Sequence, residues 1–136
     1  MKSLQLTRRD LLKKASALAA PMIVPASVLG KDGTTAPSNR ITMGLIGHGL
    51  IMGGHRGYHL QRKDVQVIGV CDVYSDRRDK ALKQVEKTYA DRDGKGKHTG
   101  CESYHEFEKL VERKDLDAVV VGTPDHWHAP ISVAAM

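Results

Sequence analysis

The chain has 136 residues, room for one domain, with 40% hydrophobic residues and a formal net charge of +5. Most of that excess sits at the front: residues 1–30 hold Lys2, Arg8, Arg9, Lys13 and Lys14 against Asp10, which leaves 16 basic and 15 acidic side chains for residues 31–136. A nearly neutral body argues against a nucleic-acid-binding surface, and two cysteines, Cys71 and Cys101, are too few for a disulfide scaffold, although an oxidising compartment would let them pair.

Residues 1–30 read as a targeting segment. "TRRDLLKK" (Thr7 to Lys14) pairs two arginines, and "ASALAAPMIVPASVL" (Ala15 to Leu29) is apolar but interrupted by Pro21 and Pro25, shorter than the roughly 20 apolar residues of a spanning helix. The segment resembles a twin-arginine signal, with Leu11 where Phe is more usual, and Ala26 and Gly30 offer cleavage points. It predicts export to the periplasm or beyond through the twin-arginine machinery. An uncut N-terminal anchor or an amphipathic helix is the alternative. "KDGTTAPSNR" (Lys31 to Arg40) has the composition of a flexible linker.

From residue 41 onward strand and helix patterns alternate. "ITMGLIG" (Ile41 to Gly47) is an apolar run ending in glycine, as in a buried parallel strand. A glycine-rich stretch then starts a helix. "VQVIGVCD" (Val65 to Asp72) is a second apolar run, ending in an acid. Ser75 is placed to cap the next helix, whose apolar face is Ala81, Leu82, Val85 and Tyr89. A polar loop, Asp91 to Gly100, leads to a weak third strand near His98 to Glu102. Ser103 and Glu106 have capping-box spacing before a helix with Phe107, Leu110 and Val111 on its apolar face. "DAVVVG" (Asp117 to Gly122) is the fourth strand, and Pro130 suits the first turn of a final helix. The alternation predicts an α/β fold: a doubly wound, Rossmann-type parallel sheet, of which residues 41–136 form the N-terminal, incomplete portion.

The first strand is followed by Gly47 and Gly49, which supply a tight turn and a spot without side chains where backbone can meet a diphosphate at a helix N-terminus. The third glycine of GxGxxG would fall at Met52; here Gly53 and Gly54 come after it, giving GxGxxxG. Asp72 ends the second strand 23 residues beyond Gly49, near the spacing at which an acid accepts hydrogen bonds from the adenosine ribose. A carboxylate there opposes the extra phosphate of NADP and favours NAD, while Arg77 and Arg78 keep NADP open. In the strand order 3-2-1-4, the loop after the fourth strand faces the glycine loop, so "TPDHWH" (Thr123 to His128) would line the cofactor and the substrate entrance.

Taken together, "ITMGLIGHG", "VCDVYSDRR" and "SYHEFEKLVERKDLDAVVVGTPDHWHAP" resemble the N-terminal half of the Gfo/Idh/MocA oxidoreductases, over about residues 40 to 136, particularly their exported bacterial members. The resemblance implies that Gly47, His48, Gly49, Leu50, Ile51 and Met52 border the diphosphate of NAD, that Asp72 meets the adenosine ribose, that Thr123, Pro124 and His128 lie along the nicotinamide side, and that Trp127 walls it. Helix capping is the plainer role for His126 and His128. The resemblance also implies a sugar-like or polyol small-molecule substrate in the full-length form, with room there for a homo-oligomer. The family's catalytic Glu-Lys-Pro triplet and its substrate domain do not occur in these 136 residues, so catalytic residues are unassigned and the chain is expected to be a fragment without turnover of its own. A non-catalytic nucleotide-binding module is the rival reading.

Metal readings are weaker. His55 and His59 stand at i, i+4, but Arg56 occupies the place where a zinc protease needs glutamate, and Asp125, His126 and His128 lack a completing cluster. The loop from Asp91 to Glu102 echoes a calcium-binding loop, yet Lys95 stands at a ligand position. No metal site is assigned.

Overall fold

The computed structural model describes residues 35–94 and 96–136. The predicted leader, residues 1–30, and the first part of the predicted linker lie outside the described residues. The described end of that linker is docked on the domain: Pro37–Asn39 form a 3-10 turn, Ala36 is buried, and Arg40 bonds the Thr35 carbonyl and Gln66 Oε1, each at 3.2 Å.

Four strands, β1 (Ile41–Ile46), β2 (Val65–Cys71), β3 (Glu102–Tyr104) and β4 (Ala118–Val121), form one sheet in the order β3-β2-β1-β4, with every pair parallel. This is the order predicted from the alternating pattern. The helices are α1 (Leu50–Gln61), α2 (Ser75–Asp93), α3 (Phe107–Val111) and α4 (Asp125–Ala134). None of the described helices is long and apolar enough to cross a membrane.

Alternate residues of a strand point to opposite faces, and the apolar runs divide accordingly. Met43, Leu45, Val65, Val67 and Val70 join Leu60 of α1 and Ala81, Val85 and Tyr89 of α2 in one cluster. Ile46 and Cys71 join Leu110 of α3 and Ile131 of α4 in the other. Fully burying a Leu or Val side chain stabilises the fold by about 1.5–3 kcal/mol, so these two layers carry most of the stability. The expected face of α2 is therefore the packed one: Ala81, Val85 and Tyr89 are fully buried and Leu82 partly so.

Two local features fit the layers together. The β1–β2 ladder slips one residue between Met43 and Gly44, and the Val67 N–H beside the slip donates to the Tyr89 hydroxyl at 2.8 Å. One step further, Gly44 and Gly69 are cross-strand partners, and the Leu110 side chain packs onto both. The short α3 thereby approaches the sheet closely.

Several local expectations are corrected. The third strand is Glu102–Tyr104, later than His98 to Glu102, because its partners are Gly69, Val70 and Cys71 at the far end of β2. Ser103 is thus a strand residue opposite Val70 and caps nothing; Glu106 is itself the N-cap residue of α3, and its carboxylate pairs with Lys109 at 2.7 Å. Ser75 is the first residue of α2 rather than its cap. The turn before α2 is held by Asp72, whose Oδ1 accepts the Tyr74 N–H at 2.9 Å, a short acid folding back on the backbone two residues ahead. Pro130 lies inside α4, not in its first turn, since that helix already begins at Asp125.

Candidate functional site

The C-terminal ends of β1, β2 and β4 open into a cleft of about 630 Å3. Its rims are the glycine loop between β1 and α1, the loop after β2, and the turn between β4 and α4. Gly47 adopts φ +83°, a region open to glycine and strained for other residues. A Cβ there would also stand 2.7 Å from the Thr123 amide nitrogen. Two main-chain bonds hold this corner: the Gly47 N–H donates to the Cys71 carbonyl and the Gly122 N–H to the Ile46 carbonyl, both at 2.8 Å.

Gly49 is the N-cap of α1, no side chain caps that helix, and its first turn holds no acid. The free N–H groups and the positive helix end are left to an anionic ligand. A Cβ on Gly49 would meet nothing within 4 Å, so its main chain borders open space.

Asp72 stands just past the end of β2, beside the glycine loop, 7% exposed. Its Oδ2 accepts the main-chain N–H of His48 at 2.6 Å and its Oδ1 that of Tyr74. Arg78 donates to the Asp72 carbonyl at 2.9 Å. One carboxylate therefore ties the glycine loop to the loop after β2. A carboxylate offers about four lone-pair sites, so two bonds leave acceptor capacity for a ligand hydroxyl.

Of the residues singled out in the sequence, Gly47, Gly49, Leu50, Ile51, Asp72, Thr123, Pro124 and Trp127 line the cleft. His48, Met52 and His128 stand elsewhere. His48 is turned into the protein, 7% exposed, with Nδ1 3.0 Å from Arg56 Nη1. Burial, and then the charge of Arg56, push its pKa down to about 4 against the opposing pull of Asp72. Met52, where the third glycine was expected, is fully buried against Gly122. The close helix–strand approach survives because the glycine is on the strand side of the contact. Gly53 and Gly54, by contrast, face no neighbour that a Cβ would meet. His128 donates through Nε2 to the Thr123 carbonyl at 2.8 Å, which ties α4 to the turn before it without capping it, since no side chain caps that helix.

Sequence reasoning missed part of the wall. Val73 and Tyr74 follow β2, and His105 and Phe107 follow β3; Arg77 and His126, both singled out in the sequence, line the cleft as well, although His128 does not. The Arg77 guanidinium lies 4.7 Å from the Tyr74 ring centroid, and Phe107 meets Trp127 edge-on at 6.2 Å. A residue's place on the loop after β2, immediately past the acid, was the available signal; Phe107 was legible only as part of the apolar face of its helix, not as a wall of the cleft.

Residues 41–136 match the Gfo/Idh/MocA oxidoreductase family, described as an oxidoreductase family with an NAD-binding Rossmann fold. The chain belongs to this family. It is 37% identical to a glycosyl hydrolase family 109 protein of Solibacter usitatus over 142 aligned residues, covering 96% of this chain and 30% of that protein. It is also 28% identical to an alpha-N-acetylgalactosaminidase of Tannerella forsythia, again over 96% of this chain and 30% of the relative. The chain thus spans less than a third of the length of these relatives. Among solved structures it resembles the scyllo-inositol dehydrogenase of Lactobacillus casei with bound NAD(H) and scyllo-inositol, at 20% identity and TM-score 0.56 over 71% of this chain and 25% of that one. The myo-inositol dehydrogenase of the same organism gives TM-score 0.58 over the same shares. These likenesses bear on the fold.

The cleft fits a dinucleotide on its own evidence. The side-chain-free corner at Gly47, the open main chain at Gly49, the uncapped α1 and the buried acid of Asp72 occur together at the sheet's C-terminal edge.

Proposed function

We propose that this chain is the NAD-binding portion of an exported enzyme that acts on a glycoside of a sugar such as N-acetylgalactosamine. The similarity to relatives named for glycoside hydrolysis, extending over 96% of the chain, carries the substrate class. NAD, when bound, supplies a hydride acceptor. The chain's own residues hold it: the glycine loop and α1 N-terminus take the diphosphate, Asp72 the adenosine ribose, and Thr123, Pro124 and Trp127 line the remaining rim. NAD-dependent glycosidases are a known departure from the two-carboxylate scheme. If hydride is removed and returned within one turnover, cleavage has no net redox change.

The test is the release of p-nitrophenol from its α-N-acetylgalactosaminide by the purified enzyme of which this chain is the NAD-binding portion, with and without NAD, beside NADH formation from inositol or free sugars. Cleavage that needs NAD but accumulates no NADH supports the reading. NADH accumulation from a polyol without cleavage replaces it with a plain dehydrogenase, the activity for which the two Lactobacillus casei structures are named.

Export is part of the proposal. Support comes from the paired Arg8 and Arg9 and from alignments that reach 96% of the chain, well ahead of the family domain beginning at residue 41. Replacing both arginines with lysine and fractionating cells tests it. Unchanged periplasmic accumulation removes the twin-arginine route.

A further inference from the structure

Arg56 differs from the arginines of the domain that form ion pairs. Arg62, Arg92 and Arg113 each pair with a carboxylate. Arg56 pairs with none among the described residues. It projects from α1 toward the glycine loop, where Nη1 meets His48 Nδ1 at 3.0 Å, and its Nε donates to Gln84 Oε1 of α2 at 2.8 Å. Both partners are neutral: Gln84 is an amide, and His48 accepts at Nδ1 and so carries its proton at Nε2. That Nε2 is buried with no hydrogen-bond partner. The guanidinium stays charged in any case, and burial works against that charge. A partly buried cation without a counter-charge thus stands behind the loop whose open side borders the cleft.

We propose that Arg56 is a positioning residue for the cofactor's diphosphate: its uncompensated charge, held against the back of the glycine loop by His48 and Gln84, acts with the uncapped N-terminus of α1 to retain the diphosphate. The inference rests on the NAD-binding reading of the cleft. His48 transmits position, not charge. Its main-chain N–H is committed to Asp72 and its ring to Arg56, so the loop residue between Gly47 and Gly49 is fixed from both ends. Gln84 keeps the guanidinium in place without neutralising it.

The experiment is titration of the purified protein with NAD, ADP and adenosine at two ionic strengths, read by calorimetry. Adenosine lacks the diphosphate and serves as the internal control. Arg56→Gln is expected to weaken NAD and ADP by about five- to tenfold, the scale of one charge acting through a partly buried medium, to leave adenosine within about twofold, and to flatten the salt dependence. Arg56→Lys is expected to recover most of the loss. Gln84→Glu is the second variant; Gln84 is exposed, so folding is not at risk, and the new carboxylate offsets the charge while leaving Arg56 in place. It is expected to weaken ADP and NAD in the same way. If Arg56 were only a strut between α1 and α2, Gln84→Glu would strengthen the strut and leave ADP binding unchanged or tighter. That outcome, or equal losses for adenosine and ADP in Arg56→Gln, overturns the proposal. Wild-type protein that binds neither NAD nor ADP overturns the dinucleotide reading itself, a failure separable from that of Arg56.

Discussion

Met52 and Gly122 share one volume: a Cβ built on Gly122 would lie 2.5 Å from Met52 Cε and 3.3 Å from Met52 Cβ. The contact joins the first turn of α1 to the end of β4, the two elements whose loops face each other across the cleft. Gly122→Ala is expected to destabilise the protein by about 1–3 kcal/mol through overpacking. Met52→Ala, which empties the same space, is expected to cost about 2–5 kcal/mol. The double variant should lose less than the two single losses together, because the new methyl occupies room the methionine has left. Urea denaturation of the four proteins measures the coupling; strict additivity would mean that the two residues do not compete.

Asp72 has structural and ligand roles that can be separated. Removing its carboxylate leaves the N–H groups of His48 and Tyr74 without their acceptor, an effect of about 1–3 kcal/mol for each such buried donor. Asp72→Asn keeps one acceptor oxygen and removes the charge. It is expected to weaken NAD by about tenfold, the scale of a charge-assisted hydrogen bond, and to weaken NADP much less, since the repulsion of the extra phosphate disappears with the charge. Trp127, the single tryptophan, lines the cleft and supplies a fluorescence signal for both titrations. An unchanged NAD-to-NADP ratio rules out the ribose role.

His48 makes stability depend on pH. Burial and Arg56 hold its folded pKa near 4, against an ordinary value of 6.5, with Asp72 pulling the other way. Between those values the unfolded chain binds a proton that the folded one does not, so stability rises with pH across the window. It is full above about pH 6.5, falls as pH drops toward 4, and changes no further from this group below that. The contribution is about 3 kcal/mol at most. Denaturant midpoints between pH 4 and 7 are expected to vary less in His48→Asn than in wild type; parallel curves would show that the histidine titrates normally.

The two cysteines are predicted to be unreactive thiols. Both are buried and unpaired. Burial raises the Cys71 thiol to about 11 and the Cys101 thiol to about 12, so little thiolate exists at neutral pH. Iodoacetamide at pH 8 should label neither in the native protein and both in urea, as mass spectrometry would show. Rapid native labelling of Cys71, which lines the cleft, would mean that the floor of the cleft opens in solution.

Periodic and positional signals were readable from the chain; directional ones were not. The runs from Ile41, Val65 and Asp117, the α2 face and the order β3-β2-β1-β4 follow from apolar alternation and the parallel-crossover pattern, which depend only on residue type along the chain. The third strand was misplaced because three residues give almost no period, and only its pairing with β2 locates it. At the site, the glycine turn and the acid at the strand end were visible because each answers a backbone requirement. That His48 turns inward while Leu50 is fully exposed is decided by Arg56, Gln84 and Asp72, whose side chains arrive from three other places in the chain. Likewise the glycine that admits Met52 lies 70 residues away, beyond any local motif.

The near contact between Gly47 and Thr123 restricts how this cleft can diversify. With a built Cβ only 2.7 Å from the Thr123 amide, position 47 has no room for a side chain unless the backbone after β4 retreats. Randomising Asp125, His126 and Trp127 on the outer part of the turn should leave the corner intact, whereas a library that varies Gly47 must vary the Gly122–Thr123 backbone with it. New specificity can be selected outward from Pro124 without touching the corner, and inserting residues between Val121 and Pro124 would shift both rims at once.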